Sequence, residues 1–337
     1  MNEASTSPAV AISGLTVTFA RRIGAVRGVD LTLNRGEAVA LIGESGSGKS
    51  VTLRAIMRLN SERAAATTGV IEVYGRDVLR MSKRELSDFR GGEVAMIFQD
   101  PALALDPVYT VGEQIIEAIR RHEPMSRAKA RLRALEMLER VRIPSPAQRL
   151  DAYPHEMSGG MRQRAMIALA LSCRPRVLLA DEPTTALDAT VQIQVLLLLR
   201  DLQKELGLAT VFVTHDLGAA VEVADRIAVM YAGRIVERGT AEEVILAPRH
   251  PYTIGLLRSR ADGAFNKGAR LTAIPGSPPD LSNTITGCAF APRCWLAAER
   301  CRREQPPPLP SAGGHDAACW RAEEAAASYR ETADAAS

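Results

Sequence analysis

The sequence predicts an α/β fold with an inserted helical subdomain and a small, irregular C-terminal lobe. Three observations predict it. Short apolar runs of strand length, such as 38–42, 177–180 and 209–213, alternate with segments of helical spacing. Between the first run and the later ones, residues 100–172 lose strand character. Beyond about residue 250 the periodicity gives way to prolines and four clustered cysteines.

Residues 9–99 read mostly as strands, with Leu15, Val17 and Phe19 alternating along the first. The run Ala38-Val39-Ala40-Leu41-Ile42 leads into Gly43-Glu44-Ser45-Gly46-Ser47-Gly48-Lys49-Ser50. This matches G-x-x-x-x-G-K-[ST], a phosphate-cradling P-loop, and helical spacing follows from Val51. The glycines let backbone N–H groups turn toward an anion, and the helix start adds a positive dipole end. Lys49 is expected to reach the β- and γ-phosphates, and Ser50 to ligate Mg²⁺.

In the middle segment Val111–His122, Arg127–Val141 and Met161–Ser172 look helical, broken by Pro144, Pro146 and Pro154. Ser158 is a good N-cap for the last of these, and Gly159 and Gly160 leave its first N–H groups bare, a second anion site. One nucleotide rarely needs two distant helix starts, so a second subunit would explain the surplus. The run Val177-Leu178-Leu179-Ala180 then ends in Asp181 and Glu182. Asp181 fits a Mg²⁺ role at a strand end. Glu182, on the opposite face of the chain, is placed to orient a water or take its proton. A helix over 188–206, a strand over 209–214, a helix over 217–224 and a hairpin around Ala232-Gly233 complete the alternation. The Ala-rich end, 323–337, is expected to fray.

Composition excludes several classes. The 337 residues carry 24% charged and 46% apolar residues with a net charge of +3, too weak a balance to signal nucleic-acid binding. No apolar run approaches the 18 residues of a membrane span, and the first residues lack signal-peptide character. Any membrane role is expected to come through a partner.

Taken in order, these motifs resemble the nucleotide-binding subunits of ABC transporters over roughly residues 8–250. The order is P-loop, Gln99 in Ile97-Phe98-Gln99-Asp100-Pro101, Ser158-Gly159-Gly160, Asp181-Glu182, Ala186-Leu187-Asp188, and His215 in Val213-Thr214-His215-Asp216. The resemblance implies a P-loop core in two parts, 8–99 and 173–249, around a signature-bearing helical subdomain, 100–172. It implies ATP held by Gly43 to Val51, with Phe19 stacking on adenine, and Mg²⁺ held by Ser50, Gln99 and Asp181. Ser158, Gly159 and Gly160 would bind the γ-phosphate of the nucleotide on the other subunit, and Asp188 would sit at the dimer seam. Glu182, His215 and Gln99 would serve hydrolysis.

The C-terminal stretch narrows the resemblance. His250-Pro251-Tyr252-Thr253-Ile254-Gly255-Leu256-Leu257, Ile274-Pro275-Gly276-Ser277-Pro278-Pro279 and the four cysteines resemble the oligopeptide/dipeptide importer subfamily, which includes nickel and glutathione importers. Cys288, Cys294, Cys301 and Cys319 are spaced C-x5-C-x6-C-x17-C, looser than zinc knuckles. In a cytosolic protein they read as metal ligands rather than disulfides. All-thiolate ligation suits an iron–sulfur cluster or zinc, and the resemblance favours 4Fe–4S. On this reading metal holds together a lobe, residues 250–322, too proline-rich and small for its own core. Cys173 stands apart as a small packing residue. The function expected is an ATPase powering uptake of peptides or a related small substrate at the cytoplasmic face of the inner membrane. Its partners would be two transmembrane permeases, a second, related ATPase and an extracytoplasmic binding protein, with no nucleic acid. The alternative is a non-transport ABC ATPase acting on nucleic acid or ribosomes. Such proteins usually carry two cassettes or long coiled coils, and this chain shows one cassette and no sustained heptads.

Overall fold

The computed structural model of the chain describes residues 7–184, 187–265, 274–307, 309 and 314–334. Thr185 and Ala186 of the stretch before Asp188, Pro308 of the lobe, and the tail's last residues, 335–337, lie outside them.

The elements run in chain order as follows. Strands β1 (Val10–Phe19), β2 (Ile23–Leu33) and β3 (Ala38–Ile42) precede helix α1 (Lys49–Ile56). Strands β4 (Ala65–Val73) and β5 (Arg76–Asp77), helix α2 (Lys83–Gly92) and strand β6 (Val94–Ile97) follow. Five helices come next: α3 (Pro101–Ala104), α4 (Val111–His122), α5 (Arg127–Arg140), α6 (Pro146–Leu150) and α7 (Gly159–Leu171). Then come β7 (Val177–Asp181), α8 (Ala189–Leu206), β8 (Ala209–Thr214), α9 (Leu217–Val223) and the pair β9 (Arg226–Tyr231) and β10 (Arg234–Thr240). The chain closes with α10 (Ala241–Leu246), α11 (Pro251–Phe265), α12 (Glu299–Arg303), β11 (Asp316–Ala317) and α13 (Ala322–Asp334). The helices read from periodicity at 111–122 and 127–141 match α4 and α5 within one residue. The helix read from Met161 begins two residues earlier, at Gly159, because Ser158 caps it there.

The chain divides into two compact units. One holds Val73–Val213 with Leu33–Ala38 and the chain up to Val10. In it β6 and β8 flank β7 in parallel, with Val94 opposite Val177 and Val177 opposite Ala209. Every residue of β7 and β8 is buried, which is why both are mostly apolar rather than alternating. The helical subdomain follows β6. A capping box of Thr110 and Glu113 starts α4, and α4, α5 and α7 pack against one another.

The second unit holds Ala11–Thr32, Val39–Glu72 and Thr214 onward. Here β3 runs parallel to β9, and β9 turns back into β10 through Ala232 (φ 47°) and Gly233 (φ 81°). Two successive left-handed residues are the tight-hairpin signature that the Ala-Gly pair announced. Strand β11 adds to the edge of β10, and β2, β1 and β4 form a separate sheet. The C-terminal segment does not stand apart as a lobe with its own core. Tyr252 and Phe290 are buried in one cluster with Ile42, Ile227, Val229 and Tyr231, and Leu281, Ile285, Cys288 and Cys294 pack against it. The start of α11 is held from the sheet: the buried Glu237 carboxylate on β10 accepts N–H bonds from Arg249 (2.7 Å) and His250 (2.9 Å). Where a frayed tail was expected from residue 323, the chain forms α13 to Asp334. Ala325 is fully buried, and the Tyr329 hydroxyl donates to the Ile245 carbonyl.

Candidate functional site

The P-loop lies between β3 and α1 in the second unit, and its backbone leaves no room for a side chain at Gly43 and Gly48. A Cβ on Gly43 would meet the Met230 carbonyl oxygen at 2.1 Å. One on Gly48, whose φ is +106°, would meet the Ala25 carbonyl oxygen at 2.4 Å. Gly48 is the N-cap of α1 and offers no side-chain acceptor, so the first N–H groups of the helix face the loop uncapped by a side chain. Ser45 and Gly46 are exposed, Ser47 is buried, and Ser50 and Val51 are half-buried. The Lys49 ammonium bends back over the loop and donates to the carbonyls of Gly43 (2.8 Å) and Glu44 (3.0 Å). Phe19 ends β1 half-buried, beyond the fully buried Leu15 and Val17.

Glu44 is gripped from the C-terminal segment. Its backbone N–H donates to the Tyr252 hydroxyl at 2.7 Å. Its carboxylate takes a two-pronged bond from Arg293, at 2.7 and 3.0 Å. The Arg293 guanidinium also donates to the carbonyls of Pro275 and Ile274 and to the Tyr231 hydroxyl. Its bond to Glu44 pushes its pKa above the ordinary arginine range, while burial raises the Tyr252 and Tyr231 phenols. Arg293 belongs to no motif that the sequence displays. No spacing rule links it to a loop 249 residues away.

In the other unit, Asp181 ends β7 and is 2% exposed. Glu182 leaves the strand in a left-handed turn, φ 45°, with its N–H donating to the Val213 carbonyl at 3.0 Å. The Gln99 side-chain amide donates to the Glu182 carboxylate at 3.3 Å, so the structure brings together two residues that the sequence separates by 83 positions. Ser158 is exposed and caps α7, its hydroxyl accepting from the Met161 N–H at 3.3 Å. Gly159 and Gly160 open that helix, and Gly160 lies against α8, where a Cβ would be 3.0 Å from a Val191 methyl. Asp188 is exposed and caps α8 through the Val191 N–H. His215 is exposed, following β8 in the second unit.

The cysteines require a correction. Cys288, Cys294, Cys301 and Cys319 border one small cavity, but all four are free thiols. Among the described residues no group of three or more His, Cys, Asp or Glu side chains could hold a metal ion. Neither the 4Fe–4S cluster that the resemblance implies nor the alternative zinc fits this arrangement. Burial raises the Cys288 thiol and lifts Cys294 to about 11 and Cys319 to about 12, so these thiols are neutral near pH 7. The lobe is held instead by the core it shares with the sheet and by Arg293. Cys173, as expected, is a buried packing residue, its thiol donating to the Ala118 carbonyl.

Comparison with known proteins agrees with the P-loop. Residues 26–185 match the family described as ABC transporter, and residues 236–301 match the oligopeptide/dipeptide transporter C-terminal region. A probable peptide ABC transporter ATP-binding protein of Sinorhizobium fredii is 50% identical over 89% of this chain and 90% of its own length. The dipeptide transport ATP-binding protein DppD of Escherichia coli is 46% identical over 91% of this chain and 95% of its own. The ATP-binding cassette MJ0796, solved as a dimer bound to ADP and Pi, superposes with a TM-score of 0.62. It is 30% identical and covers 69% of this chain and 98% of its own. These relatives are named for nucleotide binding and transport. Identity of this extent along nearly the whole of two relatives means that the chain belongs to the ATP-binding subunits of ABC transporters, which are ATPases.

Proposed function

We propose that this ATPase powers the import of di- or oligopeptides, and that its nucleotide chemistry is divided among the residues above. The relatives' names and the match of residues 236–301 support the peptide class. The observation that carries the nucleotide roles is the build of the P-loop. Gly43 and Gly48 admit no Cβ, an uncapped helix start faces the loop, and a lysine ammonium lies over it. Such a loop wraps the phosphates with N–H groups, and Lys49 moves from its two carbonyls onto the β- and γ-phosphates. Phe19 stacks on adenine.

Mg²⁺, when bound, neutralises charge on the β- and γ-phosphates and needs few protein oxygens. Ser50 and Asp181 would supply them, with Gln99 beside the shell. Glu182 orients the attacking water and takes its proton, and the amide of Gln99 fixes the carboxylate for that task. His215 contacts the γ-phosphate. Ser158, Gly159 and Gly160 close on the nucleotide held by a second ATPase subunit, with Asp188 at the seam. The helix-capping bonds of Ser158 and Asp188 leave lone pairs for this second contact. The two ATPases work beneath two permeases on the cytoplasmic face of the membrane, and a binding protein delivers the peptide outside. No helix among the described residues is long and apolar enough to cross a membrane, which agrees with peripheral attachment.

The test is ATP hydrolysis and peptide uptake by the transporter reconstituted in vesicles. Lys49→Ala loses nucleotide binding and uptake together. Peptide-independent hydrolysis with no uptake of any di- or oligopeptide by the parent would overturn the substrate class.

A further inference from the structure

We infer that Arg293 and Tyr252 are positioning residues for ATP: the C-terminal segment latches the P-loop in its phosphate-binding shape through Glu44. The inference rests on the P-loop reading above and goes beyond it, because neither residue belongs to the nucleotide motifs.

The geometry is specific at both ends. Glu44 is the second residue of the loop, and its own carbonyl is one of the two that hold Lys49. Its N–H and its carboxylate are both taken by C-terminal residues, one by a phenol and one by a guanidinium fork. A fork fixes the direction of a carboxylate as well as its position, which a lysine does not. Arg293 cannot follow the loop if it moves. Its side chain is 5% exposed, and three further acceptors hold it: two carbonyls and the Tyr231 hydroxyl. Beneath it Tyr231, Tyr252 and Phe290 pack tilted and edge-on, with ring centres 4.6 to 5.4 Å apart. Arg293 is therefore a fixed anchor, and it sets where Glu44 sits.

The pairing has a sign that simple electrostatics does not share. A carboxylate in a phosphate-binding loop repels the ligand, so neutralising it should tighten nucleotide binding. If the carboxylate anchors the loop, neutralising it weakens binding, because preorganisation is lost.

The experiment titrates the purified full-length chain with fluorescent trinitrophenyl-ATP in Mg²⁺ and measures KM and kcat in the reconstituted transporter. Thermal unfolding is followed in parallel. Glu44→Gln and Arg293→Met are each expected to raise the dissociation constant and KM about tenfold, the lower end for a charge-assisted pair, with kcat changed less than about threefold. Together they should cost no more than about twofold beyond the worse single change, because both cut one contact. Arg293→Lys, keeping the charge without the fork, should recover part of the loss. Tighter or unchanged binding by Glu44→Gln overturns the latch, as do effects that multiply. If Arg293→Met does not fold, Glu44→Gln alone decides, since it leaves the aromatic anchor whole. Normal nucleotide binding by Lys49→Ala would instead overturn the P-loop reading itself, a separate result.

Discussion

Replacing Gly48 by alanine tests whether the P-loop works through its backbone shape. Gly48 has φ 106° and ψ 1°, a region that L-residues avoid at a cost of about 1–3 kcal/mol. The added Cβ would also stand 2.4 Å from the Ala25 carbonyl oxygen and 2.7 Å from the Met230 terminal methyl. The methyl can swing away, but the carbonyl belongs to strand β2 and cannot. Relief therefore requires the loop to move by roughly 1 Å, the shortfall from a van der Waals separation. That movement reaches the ligand site, because the Gly48 carbonyl accepts from both the Thr52 N–H (2.9 Å) and its hydroxyl (3.0 Å), and Lys49 is the next residue. A misplacement of this size can cost about a hundredfold in rate. The variant should lose roughly 2 kcal/mol of stability, about 5 °C in Tm, and most ATPase activity. Gly46→Ala is the internal control. Its φ is also left-handed, +77°, but nothing lies within 4 Å of the new Cβ, so it should pay the backbone strain and keep the loop in place. Differential scanning fluorimetry and a MgATP titration of both variants decide the matter. Equal effects at the two positions, or a Gly48→Ala chain with parental affinity, would refute the reasoning.

Other expectations follow from the same geometry. Glu182→Gln should keep nucleotide binding and lower turnover by about 10²–10⁴-fold; activity within twofold of the parent in vesicles rules out its role as base. Ser158→Arg should block hydrolysis without weakening ATP binding, since it fills the helix start of α7 while leaving the P-loop alone; an active variant contradicts the shared site. His250 is held neutral, its pKa lowered by burial from 6.5 to about 4 despite the nearby Glu237 carboxylate. Above pH 6.5 both folded and unfolded chains are neutral there. As the pH falls from 6.5 toward 4 the unfolded chain takes the proton first, so stability should drop by up to roughly 3 kcal/mol. Urea midpoints measured across that window should flatten in His250→Gln, and an unchanged slope would remove His250 from the account.

What the sequence made legible is what physics writes locally. The runs at 38–42, 177–180 and 211–213 are apolar at every position because their strands are buried on both faces. Ser158 and Asp188 announce helix starts because a short acceptor side chain reaches the N–H three residues on. The Ala232-Gly233 turn follows from the same short-range chemistry. The contact between Arg293 and Glu44 was illegible because an ion pair leaves no periodic trace, and its partners lie in segments whose meeting depends on the folded sheet. The cysteines misled for a related reason. Their crowding in 32 residues suggested a lobe in need of metal, on the assumption that so short and proline-rich a segment folds alone. Phe290 and Tyr252 show otherwise, since their rings complete a core begun by Ile42 and Tyr231 on β3 and β9.

The pair Asp181 and Glu182 shows how two adjacent carboxylates come to sit in different surroundings. Alternation along a strand already sends successive side chains to opposite faces. The structure adds a sharper division. Asp181 stays in β7, buried at 2% exposure, while Glu182 turns left-handed at φ 45° and becomes half-buried. A glutamate in that conformation costs about 1–2 kcal/mol, so something must hold it. The Val213 carbonyl accepts its N–H on one side and Gln99 reaches its carboxylate on the other. An extended Glu182 would have been the cheaper backbone. The strain is stored where the carboxylate must leave the strand and meet Gln99, and strain of this kind gathers at sites whose geometry does chemical work. Glycine at 182 would relieve the strain and stabilise the turn, yet remove the base. The stability of that turn and the rate of hydrolysis are therefore expected to move in opposite directions, a trade-off that a structural role for Glu182 would not produce.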